Sequence, residues 1–133
     1  MLYFTKTLNA KIFTMNTTFN DPAILSWLDS QSENAYDELP FGVVKMNYSG
    51  TITAYSSAQS VLSGISKENA IGKKFFTQVA PCTNNFMVAE KYSKDALDET
   101  LPYMFTYVTK PTPVELRLIK GSNGNQYLLA KNA

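Results

Sequence analysis

Phe41-Gly42-Val43-Val44-Lys45-Met46-Asn47-Tyr48-Ser49-Gly50-Thr51-Ile52-Thr53-Ala54-Tyr55 reads as a β-hairpin. Phe41 to Met46 alternates loosely, Asn47 to Gly50 supplies turn residues, and Thr51 to Tyr55 is the returning strand. A hairpin this early calls for an antiparallel sheet, and the residues on either side decide how that sheet is completed.

Upstream, Asn20-Asp21-Pro22 marks a helix start. An Asn or Asp side chain accepts first-turn N–H groups, and proline at the first helical position forfeits no hydrogen bond. Ile24, Leu25 and Leu28 share a face with Trp27 beside them, and the helix is expected to end near Ser30. Residues 1–16 mix Thr, Asn and apolar groups without a period and are read as an N-terminal extension, within which Met15 offers an alternative start. A single domain is expected over 17–133.

Downstream come short helical pieces. Ser57 to Leu62 stops at Ser63-Gly64, where glycine suits a left-handed cap. Ser66 to Ala70 stops at Gly72, and Phe75 to Val79 is broken by Pro81. Thr83-Asn84-Asn85 looks like a capping cluster for a longer helix from about Phe86 to Asp98, ended by Leu101-Pro102. Three strands close the chain: Tyr103 to Lys110, Val114 to Lys120, and Gln126 to Lys131. Turns at Pro111-Thr112-Pro113 and Gly121-Ser122-Asn123-Gly124 separate them. The expected class is α+β, a five-stranded antiparallel sheet flanked by helices, with the helical middle over one face. A ligand pocket is expected between the sheet and the helical segment that leads to Cys82.

With 133 residues, 44% hydrophobic and 17% charged, the chain has the makeup of a globular domain with its own core. A formal charge of +1 gives no reason to expect nucleic acid or anionic membrane as partner. No apolar run approaches the roughly 20 residues of a membrane helix. The start is interrupted by Lys6, Asn9 and Lys11, so it makes a poor secretory signal. One free cysteine fits a cytoplasmic location. Aromatic residues reach 13%, which suits either a tight small core or a pocket for a flat conjugated ligand.

Cys82 is the only cysteine and the chain has no histidine. An internal disulfide is excluded, and the usual base of a Cys-His nucleophile is missing. The thiol is then either a small core hydrophobe or a covalent attachment point. Asp95, Asp98 and Glu99 read as a solvated face, and no metal site is expected. There is no phosphate-binding glycine loop and no Ser/His/Asp set, so no enzymatic activity is expected.

Three segments in order carry a resemblance: Phe41-Gly42-Val43-Val44 with its hairpin to Tyr55, Ile71-Gly72-Lys73-Lys74-Phe75-Phe76 followed by Val79-Ala80-Pro81-Cys82-Thr83, and Met104-Phe105-Thr106-Tyr107. Over roughly residues 17 to 133 the chain resembles the photoactive yellow protein family, small PAS-domain blue-light receptors of bacteria. The resemblance implies a PAS fold, and p-coumaric (4-hydroxycinnamic) acid bound to Cys82 as a thioester. It implies signalling by trans-cis isomerisation and a photocycle. Tyr55 matches the family's phenolate donor. Gln59 stands where the family often has glutamic acid; its amide donates a hydrogen bond but supplies no proton. Ser63 matches the hydroxyl that supports the tyrosine. The pocket wall is expected from Val44, Ile65, Phe75, Val79, Ala80, Pro81, Thr83, Tyr107 and Thr109.

The chain also departs from the family. Ile65 replaces an arginine that many members carry over the phenol end. The hairpin after Tyr107 is shorter than in the best-known members and lacks their methionine over the chromophore, and Thr109 falls where an aromatic is expected. The partner implied is a downstream signalling protein that the sequence does not name, with the receptor a monomer or weak dimer. Two other classes stand beside photosensing: a PAS interaction or ligand-binding module without chromophore, and a thiol-dependent redox enzyme, which lacks a nearby base or resolving cysteine.

Overall fold

The computed structural model describes residues 17–106 and 110–133. The extension read at residues 1–16 lies outside them, as do the wall positions Tyr107 and Thr109. The chain runs α1 (Ile24–Ser30), a 3-10 turn (Glu33–Glu38), β1 (Gly42–Met46), β2 (Ile52–Tyr55), α2 (Ser57–Ser63) and α3 (Lys67–Ala70). A π turn (Phe75–Val79), 3-10 turns at Pro81–Thr83 and Ala89–Ser93, and strands β3 (Leu97–Phe105), β4 (Thr112–Lys120) and β5 (Gln126–Asn132) complete it. The five strands form one antiparallel sheet in the order β2-β1-β5-β4-β3. The expected α+β class is therefore present.

Strand alternation sorts the apolar residues into two cores. Val44, Met46, Val114, Leu116, Leu118 and Leu128 point to one face, where they meet Tyr55, Phe75, Val79, Ala80, Val88 and Tyr92. Val43, Ala54, Ile119, Tyr127 and Leu129 point to the other, where Ile24, Leu28, Tyr36 and Leu39 cover them. The sequence led us to expect helices over one face; both faces are covered, because α1 and the Glu33–Glu38 turn close the second. Arg117 ties that layer down. It pairs with Asp98 through Nε and Nη2, both at 2.9 Å, and its Nη1 donates to the carbonyls of Phe19 and Asp21.

Two further expectations fail: the long helix after Cys82, and the bounds of the third strand, read at Tyr103 to Lys110 but running Leu97–Phe105. No long helix runs from Phe86 to Asp98: Ala89–Ser93 forms a single 3-10 turn, and β3 begins at Leu97. Asn85 does cap, its Oδ1 accepting from the N–H groups of Met87 and Val88, but the turn it starts is short. Buried Tyr92 then anchors the segment by donating to the Tyr127 carbonyl at 2.6 Å. Nor does Leu101-Pro102 stop an element. Pro102 sits inside β3, an edge strand, where a missing N–H is tolerated.

Candidate functional site

Hydrogen bonds to β2 hold the segment that leads to Cys82. The Ile52 N–H donates to the Lys73 carbonyl and the Gly72 N–H to the Ile52 carbonyl, both at 2.9 Å, and the Phe75 N–H reaches the Gly50 carbonyl. The open edge of the sheet is thus occupied by this segment. Phe75 and Val79 drop from the π turn into the first core, with Ala80 behind them. Pro81 starts the next turn, as its fixed φ and missing N–H favour. The chain then presents Cys82, a half-buried free thiol.

Tyr55 ends β2, and Gln59 and Ser63 lie one turn apart on the buried side of α2. This helix is well capped. Ser56 Oγ accepts from the Gln59 N–H while also accepting from the Val43 N–H at 2.9 Å, which fastens the helix start to β1. Asp37 adds a second anchor: its Oδ1 accepts from the Ser57 N–H at 2.9 Å, and it forms an ion pair with Lys67. Burial alone would raise the Asp37 carboxyl, but the Lys67 ammonium and the Ser57 N–H outweigh it and hold it below the usual carboxylate range. Gly64, at φ 76°, closes the helix in the left-handed region.

Tyr55 and Ser63 share a hydroxyl–hydroxyl hydrogen bond of 2.8 Å, and Ser63 Oγ also accepts from the Ile65 N–H. Tyr55 is 2% exposed and Gln59 0%. The Gln59 side chain lies flat against Gly42 of β1, where a Cβ would stand 2.1 Å from its Oε1. A phenol and an amide, both buried and neither a carboxylate, make a donor set suited to holding an anionic oxygen, which is costly to bury without such donors. Each is a group of the kind that could hold a phenolate.

The other sequence-derived positions fall as follows. Val44, Phe75, Val79 and Ala80 share the first core with Tyr55, and half-buried Ile65 packs against it. Pro81 is exposed. Thr83 is fully buried and turns its hydroxyl back to the Ala80 carbonyl at 2.6 Å. Among the described residues no acidic, cysteine or histidine cluster suits a metal ion, and no helix is long and apolar enough to cross a membrane.

Sequence reasoning missed four contributors. Gly42 and Asp37 seat α2; in the sequence Gly42 reads only as part of the first hairpin and Asp37 not at all. Asn85 and Tyr103 converge on the Cys82 carbonyl: the Tyr103 O–H donates to it at 2.6 Å and Asn85 Nδ2 at 3.1 Å. Asn85 was legible as a cap, Tyr103 only as a strand residue.

No protein-family model matches the chain. A photoactive yellow protein of Rhodothalassium salexigens is 33% identical over 95 residues, covering 68% of this chain and 76% of that protein. One from Halochromatium salexigens is 29% identical over 113 residues, covering 82% and 90%. The crystal structure of the photoactive yellow protein domain of the sensor histidine kinase Ppr from Rhodospirillum centenum superposes with a TM-score of 0.74 at 28% identity, over 80% of this chain and 98% of that one. The fold is the PAS fold. With 33% identity over 68% of its length to a relative of that name, the chain belongs to the photoactive yellow protein family.

Proposed function

We propose that this PAS sensory domain is a bacterial blue-light photoreceptor carrying p-coumaric acid as a thioester on Cys82. The observation that carries the proposal is the burial of two neutral donors, Tyr55 and Gln59, in a member of this family whose one cysteine is a half-buried free thiol. When bound, the group supplies blue-light absorption and trans-cis isomerisation as the start of a photocycle.

The rest of the work belongs to the chain. Cys82 would provide the sulfur, and its backbone N–H would be the donor for the thioester carbonyl. Tyr55 and Gln59 would hold the phenolate oxygen, with Ser63 supporting the tyrosine through their shared hydrogen bond. Val44, Ile65, Phe75, Val79 and Ala80 keep water away, which strengthens each hydrogen bond to the anion. Gln59 would hold the phenolate through an amide N–H and, unlike a carboxylic acid at that position, could not give it a proton. The receptor acts in the cytoplasm, as a monomer or weak dimer, by presenting a changed surface to a signalling protein.

The experiment is reconstitution with activated p-coumarate. A yellow covalent adduct supports the reading. A native chain that stays colourless contradicts it and leaves a PAS interaction module.

A further inference from the structure

The Cys82 turn is only three residues long, and no side chain caps its start. Its outward carbonyl is nonetheless fixed from two directions. Tyr103 reaches in from β3 and donates at 2.6 Å; Asn85 Nδ2 donates at 3.1 Å. Asn85 Nδ2 also lies 2.7 Å from the Tyr103 hydroxyl oxygen, which closes a triangle. The hydrogens are consistent. The amide spends one on the carbonyl and one on the phenol oxygen, and the phenol donates its single hydrogen to the carbonyl. Asn85 Oδ1 is meanwhile held by the N–H groups of Met87 and Val88, so the amide cannot turn over without losing them.

We infer that Tyr103 and Asn85 are positioning residues for the Cys82 attachment: they lock the Cys82 peptide plane, aim its sulfur, and couple the turn to β3. The inference rests on the reading of Cys82 as the attachment point. A peptide plane held by two donors restricts the direction of the Cα–Cβ bond of its own residue, and so the positions the sulfur can reach through its χ1 rotamers. A turn held this way resists displacement of that sulfur and passes the push to β3. Once loosened, it relaxes around the displaced sulfur, which favours the lit state.

Because Cys82 is the only cysteine, protein grown on cysteine labelled with 13C at the carbonyl carries a single labelled peptide group. Its infrared amide band, read on the apoprotein, reports hydrogen bonding to that carbonyl with no ligand needed. In Tyr103→Phe the band moves to higher wavenumber. Asn85→Asp keeps the oxygen that accepts from Met87 and Val88 but loses the amide donor, and moves it the same way. Glu99→Gln breaks the Lys91 and Lys94 ion pairs on the same strand and leaves it in place. In the loaded protein, Tyr103→Phe slows dark return about fivefold, the effect of one ordinary hydrogen bond, while Glu99→Gln does not. A band unmoved in Tyr103→Phe and Asn85→Asp alike overturns the clamp. A moved band with unchanged dark return in both overturns the positioning role. Should Tyr103→Phe fail to fold, Asn85→Asp alone decides. A native chain that takes up no chromophore overturns the reading of Cys82, while the apoprotein band still decides whether the clamp exists.

Discussion

Gly42→Ala tests how α2 is seated. The added Cβ would lie 2.1 Å from Gln59 Oε1 and 3.1 Å from both its Cα and Cβ. The oxygen ends a flexible side chain and can swing away. The Cα cannot, because the start of α2 is fastened to β1 through Ser56 and to Asp37. Overpacking of this kind costs about 1–3 kcal/mol. Reduced unfolded-state entropy returns up to about 1 kcal/mol. The net loss is about 1–2 kcal/mol, or roughly 4–8 °C in Tm for a chain of this size. Thermal and urea unfolding of native, Gly42→Ala, Gln59→Ala and the double variant form a cycle. Removing the Gln59 amide relieves the worst contact, so the double variant should be more stable than additivity predicts, by about 1 kcal/mol. Additive effects, or a Gly42→Ala protein as stable as native, would refute this account of the seating.

Three further outcomes are expected. With Tyr55 holding the phenolate as proposed, Tyr55→Phe would remove a donor worth about 1.5–3 kcal/mol, so the loaded protein should bleach roughly 1–2 pH units higher; a spectroscopic pH titration reads this. Gln59→Glu should shift the visible band to the blue, since a carboxylic acid is the stronger donor and stabilises the ground-state phenolate more; its infrared difference spectrum should gain a carboxyl signal that the native protein lacks. Asp37 titrates low when folded, so its stabilisation is present above its unfolded value near pH 4 and is lost as pH falls through the folded value. Asp37→Asn should therefore melt below native at pH 7, with the two melting curves converging in acid.

The sheet was largely legible because its signals are local. The Asn47–Gly50 turn, the alternation of Val114, Leu116 and Leu118, and the glycine turn before Gln126 each fix a strand without knowledge of the others. The region after Cys82 was misread because Phe86, Ala89 and Tyr92 are spaced by three, as on a helix. Yet Phe86 is 72% exposed, while Leu97, Glu99, Leu101, Tyr103 and Phe105 alternate inward along β3. That period of two was present in the sequence and was obscured by Pro102, which reads as a stop unless the strand is known to lie at an edge. The second covered face went unseen because α1 is short and its partners Val43, Ile119 and Leu129 read equally well as outward-facing. In the site, Cys82, Tyr55, Gln59 and Ser63 were named through the family's motif. Gly42, Asp37 and the Tyr103–Asn85 pair act through contacts between segments far apart in sequence, as with Asp37 and Ser57, which no spacing rule reports.

The proposed attachment at Cys82 has a direct test. Apoprotein should be mixed with activated p-coumarate, followed by an absorption spectrum and an intact mass on native and Cys82→Ala chains. Attachment at Cys82 requires a visible band and one added p-coumaroyl group on the native chain, and neither on Cys82→Ala. A colourless native adduct, or a Cys82→Ala chain that becomes covalently yellow, would contradict it.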